Sequence, residues 1–205
     1  MSGDYNTWVF LNCPFDEDYR EMQYAIIFTI YWCGFFPRSA MEEDNALYSR
    51  LAKIETIIEE SRFGIHDLSR IEVNANSMPR FNMPFEAGIF FGAKKFGNDA
   101  QKKKVALILE KEKYSYQQFI SDLNGIDTKA NNNNPITAIK IVRDWLKAAS
   151  RRDTISGHII IIDNYTVFRN EILPISAMKL GLDIRSLTFI DYCAMVEDLL
   201  DLNII

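Results

Sequence analysis

The sequence predicts an α/β protein built on a doubly wound parallel sheet, and two observations lead to that class. Short apolar runs typical of buried strands lie at residues 7–11, 33–37, 62–66 and 104–109. Segments with helical apolar spacing lie between or after them, at residues 19–32, 49–60, 84–96 and 135–149. Such alternation of strand and helix is typical of right-handed βαβ units, whose strands are parallel.

A residue that disfavours or follows a strand marks one boundary of each of the first three predicted strands. Pro14 cannot donate a hydrogen bond to a sheet ladder, so the first strand ends before it. Gly34 ends the first helix and leads into the second strand, and Asp67 follows the third. The helix at residues 49–60 is amphipathic, with an apolar stripe formed by Leu51, Ile54, Ile57 and Ile58.

The fourth strand follows a helix that contains a proline near its start. Pro84 is tolerated in the first turn of a helix, so we expect the helix to begin there, where its dipole would favour Glu86. The run at residues 104–109 is then the fourth strand. Residues 115–123 are predicted to form another helix, and residues 131–134 an exposed asparagine loop before the next one.

The pattern changes beyond residue 150. One segment combines strand-forming residues with helical spacing, and we interpret it as a helix on the spacing of Ile161, Tyr165, Phe168 and Ile172. Thr188 and Asp191 form a variant of the capping box that opens a last helix. We therefore expect an α/β domain over residues 1–150 and a helical C-terminal extension over residues 151–205.

Composition excludes several classes of protein. The 205 residues include 23 Lys+Arg and 28 Asp+Glu, and the net charge of −5 makes nucleic acid an unlikely partner. The three cysteines lie far apart and there are two histidines, so neither a disulfide framework nor a metal site is expected. No apolar stretch is long enough for a membrane span, and Asp4 precedes the first apolar run, unlike a signal peptide. We expect a cytoplasmic protein without a metal.

The candidate site lies where the strands end. Parallel sheets bind ligands at the carboxyl ends of their strands, near the switch in strand order. Glu86 and Asp67 are the candidate catalytic carboxylates at this edge, because a carboxylate can attack or stabilise an anomeric carbon. The alternative for Glu86 is a glutamate that stabilises its helix, and for Asp67 a residue that caps a turn. His66 should point to the opposite face of its strand and is more often a structural residue.

Further residues at the same edge are candidates for ligand contacts. Pro14, Phe15 and Asp16, with Asn12 before them, could hold a ring or a sugar, or could simply form the exit of a strand. Guanidinium groups suit phosphate, and we expect four arginines on or near this edge: Arg38, Arg62, Arg70 and Arg80. There is neither a GxGxxG segment after the first strand nor a GxxxxGK[ST] segment, which disfavours a dinucleotide fold of the Rossmann type and a P-loop NTPase.

At these residues the sequence resembles a known family. Phe63-Gly-Ile-His-Asp67 and Arg80-Phe-Asn-Met-Pro-Phe-Glu-Ala-Gly88 resemble bacterial TIR-like nucleotide-binding domains, in which Asn-x-x-(Phe/Tyr)-Glu-x-Gly opens a helix. Pro14-Phe15, Gly34 and Pro37 are similar to the layout of the nucleoside 2-deoxyribosyltransferase-like superfamily. Arg80-Phe-Asn-Met-Pro departs from the acidic and small residues that precede the glutamate in that superfamily, which favours the TIR-like alternative. The resemblance covers roughly residues 7–110.

The resemblance implies a three-layer, flavodoxin-like fold of about five strands and cleavage or transfer at an N-glycosidic bond. Glu86 would then be the catalytic glutamate and Asp67 the acidic residue near the leaving base or ribose. Asn82 matches the family's asparagine, and Pro14-Phe15 the loop on the base side. It also implies NAD or a related nucleotide as substrate rather than cofactor, a role in antiphage defence, and assembly with itself or with a defence partner.

Three functions remain open at the level of sequence. The first is a TIR-like enzyme that cleaves the N-glycosidic bond of NAD or a related nucleotide. The second is a nucleoside 2-deoxyribosyltransferase or hydrolase, which would exchange or release bases. The third is a nucleotide-sensing interaction module without catalysis, for which Glu86 should lie away from any pocket.

Overall fold

A computed structural model describes residues 3–70, 81–123 and 125–201. Its sheet has five parallel strands in the order β2-β1-β3-β4-β5. The strands are β1 (Trp8–Asn12), β2 (Phe36–Arg38), β3 (Phe63–Asp67), β4 (Val105–Glu110) and β5 (Lys129–Ala130). This order is that of flavodoxin-like folds, so the predicted fold class is confirmed.

Seven α-helices in the described residues complete the fold. They are α1 (Arg20–Trp32), α2 (Arg50–Glu60), α3 (Asn82–Phe96), α4 (Pro135–Ser150), α5 (His158–Val167), α6 (Leu173–Lys179) and α7 (Phe189–Asp201). A π-helical turn, Phe168–Ile172, joins α5 to α6, so the helical interpretation of this segment is confirmed. The predicted helix at residues 115–123 is wrong, because that segment forms two short 3₁₀ turns. None of the described helices is both long and apolar enough to span a bilayer.

Side chains that alternate in direction along the strands form a separate core on each face of the sheet. Val9 and Leu11 of β1 point into the larger core, which α1 and α4 cover. Phe10 between them points to the opposite face and packs with Ile54 of α2 and Phe90 of α3. The sheet is therefore the middle of three layers, as expected for helices on both faces of a parallel sheet.

The C-terminal helices form a further cover over α1. Every residue of α1 from Met22 to Tyr31 is buried, because the sheet lies on one side of the helix and α5 and α7 lie on the other. Tyr192 of α7 stacks on Tyr24 of α1 with ring centroids 3.8 Å apart, and its hydroxyl donates to the Tyr24 carbonyl at 3.1 Å. Residues 151–201 thus share the larger core with the sheet.

The start of α3 differs from the sequence-based expectation. The helix begins at Asn82, two residues before Pro84, and the residue before it, Phe81, has helical backbone angles. Glu86 consequently lies in the second turn. Because the helix dipole acts mainly within the first turn, it is not the main influence on this carboxyl group.

Candidate functional site

A cavity of about 600 Å³ lies at the carboxyl end of β1, beside the start of α3. This position is next to β3, where the strand order reverses and doubly wound sheets bind ligands. Six of the predicted site residues line it: Asn12, Pro14, Phe15, Asp16, Asn82 and Glu86. The structure adds four lining residues that are not among the named candidates, although Cys13 and Met83 lie within the predicted edge segments: Cys13, Arg50, Phe81 and Met83.

Glu86 presents a nearly buried carboxyl group to this cavity. The residue is 5% exposed, and its nearest cation in the described residues is Arg50, with Nη2 3.9 Å from Oε1. Burial raises the pKa of Glu86, and the positive charge of Arg50 partly offsets that effect. A carboxylate with a raised pKa accepts a proton more readily than an ordinary glutamate, which favours a role as general base.

Arg50 is the main cation of the site and was missed by the sequence analysis. It is the first residue of α2, after Ser49, whose Oγ accepts a hydrogen bond from the Ala52 amide at 3.1 Å. Its side chain is 54% exposed and its guanidinium lies 5.5 Å from the centre of the Phe15 ring. A cation at a helix N-terminus is unfavourable for the helix. The position of Arg50 is therefore better explained by its neighbours at the cavity.

Asn12 links the end of β1 to the start of α3. Its Nδ2 donates to the Met83 carbonyl at 2.8 Å and lies 3.1 Å from Nδ1 of His66, the residue beside it in β3. Met83 precedes Glu86 by one helical turn, so this bond sets where the carboxyl group lies. Within the described residues, Asn12 Oδ1 has no hydrogen-bond partner.

His66 is a buried structural residue. Its ring packs edge-on against Phe90 and Phe91 of α3, with centroids 5.0 and 5.7 Å away. Burial, with a smaller contribution from the charge of Lys104, lowers the pKa of His66 to about 3. A neutral ring accepts the Asn12 amide through Nδ1, so its proton lies on Nε2. The predicted orientation, opposite to that of Asp67, is confirmed by these contacts.

Asp67 lies on the other face of the sheet from Glu86 and is not one of the described cavity-lining residues. The Tyr19 hydroxyl and the Asn131 amide donate to its Oδ2, and the Ser69 amide N–H donates to its Oδ1 at 2.7 Å. Burial raises the pKa of Asp67, while these donors act in the opposite direction. The carboxyl group thus links the end of β3 to Tyr19, which precedes α1, and to Asn131, which follows β5.

Asn131 is a second residue whose place the sequence did not reveal. It was expected in an exposed loop, yet it is fully buried, and its Nδ2 contacts both Asp67 Oδ2 and Ser69 Oγ at 3.0 Å. Asn132 and Asn133 beside it have left-handed backbone angles, with φ of 54° and 52°. Asparagine tolerates this conformation, which turns the chain into α4.

The loop after β1 places Phe15 and Asp16 at the cavity. Asp16 accepts a hydrogen bond from the Tyr19 amide at 3.2 Å and pairs with the guanidinium of Arg70. Phe15 presents a ring beneath Arg50. Burial raises the pKa of the Cys13 thiol well above its usual range, so this thiol is not an activated nucleophile.

Arg38 and Arg62 do not line this cavity. Arg38 pairs with Glu42 and Glu60, and lines a separate depression on the outer side of α2. Arg62 lies at the amino end of β3, so its expected place at the carboxyl edge is wrong. Arg80 lies outside the described residues.

A smaller cavity adjoins the main one between α2 and α3. Its volume is about 210 Å³, and we call it the annexe. Leu51, Ile54 and Phe85 form its apolar wall. The three other lining residues, Arg50, Asn82 and Glu86, also line the main cavity.

Comparisons with protein-family models, with curated proteins and with solved structures found no match to this chain. The likeness to TIR-like domains therefore rests on the motif residues. Within the part of the chain that the structure describes, no cluster of three or more His, Cys, Asp or Glu side chains is arranged to hold a metal ion. The described lining of the main cavity combines the charged side chains of Asp16, Arg50 and Glu86 with the rings of Phe15 and Phe81.

Proposed function

We propose that this protein cleaves the N-glycosidic bond of NAD or a related nucleotide, with Glu86 as its catalytic residue. One observation carries the proposal: a carboxyl group that is 5% exposed lines a cavity of about 600 Å³ at the ligand-binding edge of the sheet. A buried carboxyl group in a cleft is a candidate for acid–base or electrostatic catalysis.

The reaction requires little more than this group. The bond between C1′ of the ribose and the nicotinamide nitrogen breaks, and its electron pair goes to the ring nitrogen, which loses its positive charge. The Glu86 carboxylate stabilises the positive charge that develops on the ribose. A water molecule then bonds to C1′ and gives its proton to Glu86. The products are nicotinamide and ADP-ribose.

The small number of acidic groups in the cavity favours NAD over neutral nucleosides as the substrate. A neutral purine or pyrimidine leaves readily only when it is protonated, whereas the nicotinamide of NAD is already cationic. Asp67 lies on the other face of the sheet, and Asp16 is committed to the Tyr19 amide and Arg70. Glu86 is therefore the main acid–base group of the cavity within the described residues. This supports NAD cleavage ahead of base exchange by a 2-deoxyribosyltransferase.

Mass spectrometry of a nucleotide pool incubated with the protein tests the proposal. We expect NAD or a related nucleotide to be consumed and its free base to accumulate with the wild type but not with Glu86→Gln. Glu55→Gln, which alters an exposed carboxylate of α2, is the matched control and should act as the wild type does. Deoxynucleosides with free bases, added in a parallel arm, would reveal base exchange instead. Ligand binding without turnover, equal in wild type and Glu86→Gln, would support the sensing module.

A further inference from the structure

The annexe has the size and lining of a site for a single aromatic ring. An apolar cavity of about 150 Å³ lined by Leu, Ile and Phe accepts benzene. The annexe, at about 210 Å³, has an apolar wall of these same residue types, Leu51, Ile54 and Phe85, opposite the polar side chains that it shares with the main cavity. It adjoins the main cavity, and Glu86 lines both.

Two of its apolar side chains are exposed to water. Phe85 is 58% exposed, and Leu51 is also exposed, although both line the same concave surface. A single exposed apolar side chain is ordinary, whereas several that converge on one cavity are typical of a binding site. A planar ring placed between them would remove apolar area from water on both of its faces.

Arg50 lies where the two compartments meet. Its guanidinium is near Glu86 on one side and the Phe15 ring on the other, and half of its side chain is exposed. The amino end of α2 adds backbone N–H groups and the positive end of the helix dipole at the same point. Guanidinium groups and helix amino ends both bind phosphate. The boundary between the compartments is therefore suited to a phosphate bridge.

We infer that the annexe binds the second base of a dinucleotide, while the main cavity holds the ribose and base whose bond is cleaved. Arg50 contacts the diphosphate that joins the two halves, and Leu51 and Phe85 determine specificity for a dinucleotide over a mononucleotide. This inference rests on the proposed function, because it assigns the two halves of that substrate to the two compartments.

Methyl NMR on the Glu86→Gln protein, which should leave the ligand intact, tests the assignment. The methyl groups of Ile54 and Leu51 report on the annexe, and that of Met83 reports on the main cavity. We expect NAD to shift the signals of both sets through ring currents. AMP should shift Ile54 and Leu51, and nicotinamide mononucleotide should shift Met83.

Substitution of the exposed aromatic residues gives a second readout. Phe85→Ala should lower the affinity for NAD by about tenfold and leave that for nicotinamide mononucleotide unchanged. Phe81, which lines the main cavity and is similarly exposed at 62%, provides the matched control. Phe81→Ala should lower the affinity for both ligands.

The possible results separate this inference from the proposed function. If NAD is cleaved by the wild type but leaves Ile54 and Leu51 unshifted, the annexe assignment is wrong and the function stands. Equal effects of Phe85→Ala on both ligands would also overturn the assignment. If AMP shifts Ile54 and Leu51 but NAD is never cleaved, the annexe stands and the proposed function fails. If no nucleotide shifts any of these methyl groups and the wild type does not cleave NAD, both are overturned.

Discussion

The carboxyl group of Glu86 is under two opposing influences, burial and the charge of Arg50. Burial raises its pKa, and the guanidinium 3.9 Å away lowers it. The ionised form is the one that can stabilise a positive ribose and accept a proton from water. The rate of cleavage should therefore fall as the pH drops through the pKa of Glu86.

Removal of the guanidinium should move this pH dependence. In Arg50→Gln the pKa of Glu86 rises further, so the acid limb of kcat/KM should shift to higher pH. Lys53→Gln makes the same change of charge on the outer side of α2 and is the control. If the acid limb of kcat/KM lies at the same pH in Arg50→Gln as in the wild type, a group other than Glu86 controls the reaction.

His66 should make the free energy of unfolding depend on pH. In the folded protein its pKa is about 3, whereas in the unfolded chain it has the ordinary value of about 6.5. Below about pH 6.5 the unfolded state binds a proton that the folded state excludes. Stability should therefore fall with decreasing pH, by up to about 1.4 kcal/mol per unit from this residue.

Urea unfolding at a series of pH values measures the contribution of His66. The comparison is between the slopes of stability against pH for the wild type and for His66→Gln, since the variant lacks the titrating ring. The slope between about pH 6 and pH 4 should be smaller in the variant. Parallel curves would contradict the burial of a neutral histidine.

At the scale of elements, the bond from Asn12 to Met83 fixes α3 against the end of β1. Asn12→Asp replaces the donor Nδ2 with an acceptor that faces the Met83 carbonyl, so we expect a loss of about 1–3 kcal/mol in unfolding free energy. Turnover should fall as well, because Glu86 is one turn farther along α3. Asn98→Asp keeps the side-chain oxygen that accepts from Ala100 and Gln101, and should change stability little. Equal stabilities of the two variants would contradict this role for Asn12.

The sequence predicted elements well where burial alone determines them. Apolar runs identified β1 to β4, because a strand covered on both faces is mostly apolar. β5 was missed because it has two residues, Lys129 and Ala130, with no apolar pattern. The sequence predicts the start of α3 too late, because proline favours the first helical position, whereas α3 already begins at Asn82.

The candidate site was predicted in part, for reasons of geometry. Asn12, Asn82 and Glu86 were found because strand ends and motif spacing place them at one edge. Asp67 was grouped with Glu86 because strand order identifies the edge but not the face on which a side chain lies. Arg50 was missed because a lone arginine at the start of a helix has no sequence pattern that distinguishes it from a surface residue.

At the scale of the whole molecule, α5 to α7 complete the larger core. They cover the side of α1 that faces away from the sheet, which explains why α1 is buried around its whole circumference from Met22 to Tyr31. Tyr192→Ala should therefore lower the free energy of unfolding by about 3–5 kcal/mol, since it removes a fully buried ring. Ile190→Ala, at an exposed position of the same helix, should change it by less than about 0.5 kcal/mol.

Chemical unfolding of the two variants, followed by circular dichroism, makes this comparison. A similar, small effect of both substitutions would mean that α7 is an accessory element rather than part of the core. The predicted effect of Tyr192→Ala would instead make residues 151–201 necessary for the stability of the sheet that carries the site.

The release of nicotinamide from NAD, followed over time by chromatography, tests the central claim most directly. The wild type and Glu55→Gln should release it at equal rates, with ADP-ribose formed in equal amount. Glu86→Gln should be slower by about 10²–10⁴-fold while it still binds NAD. Release at the wild-type rate by Glu86→Gln would contradict the account, because the carboxyl group in the cavity would then have no part in the reaction.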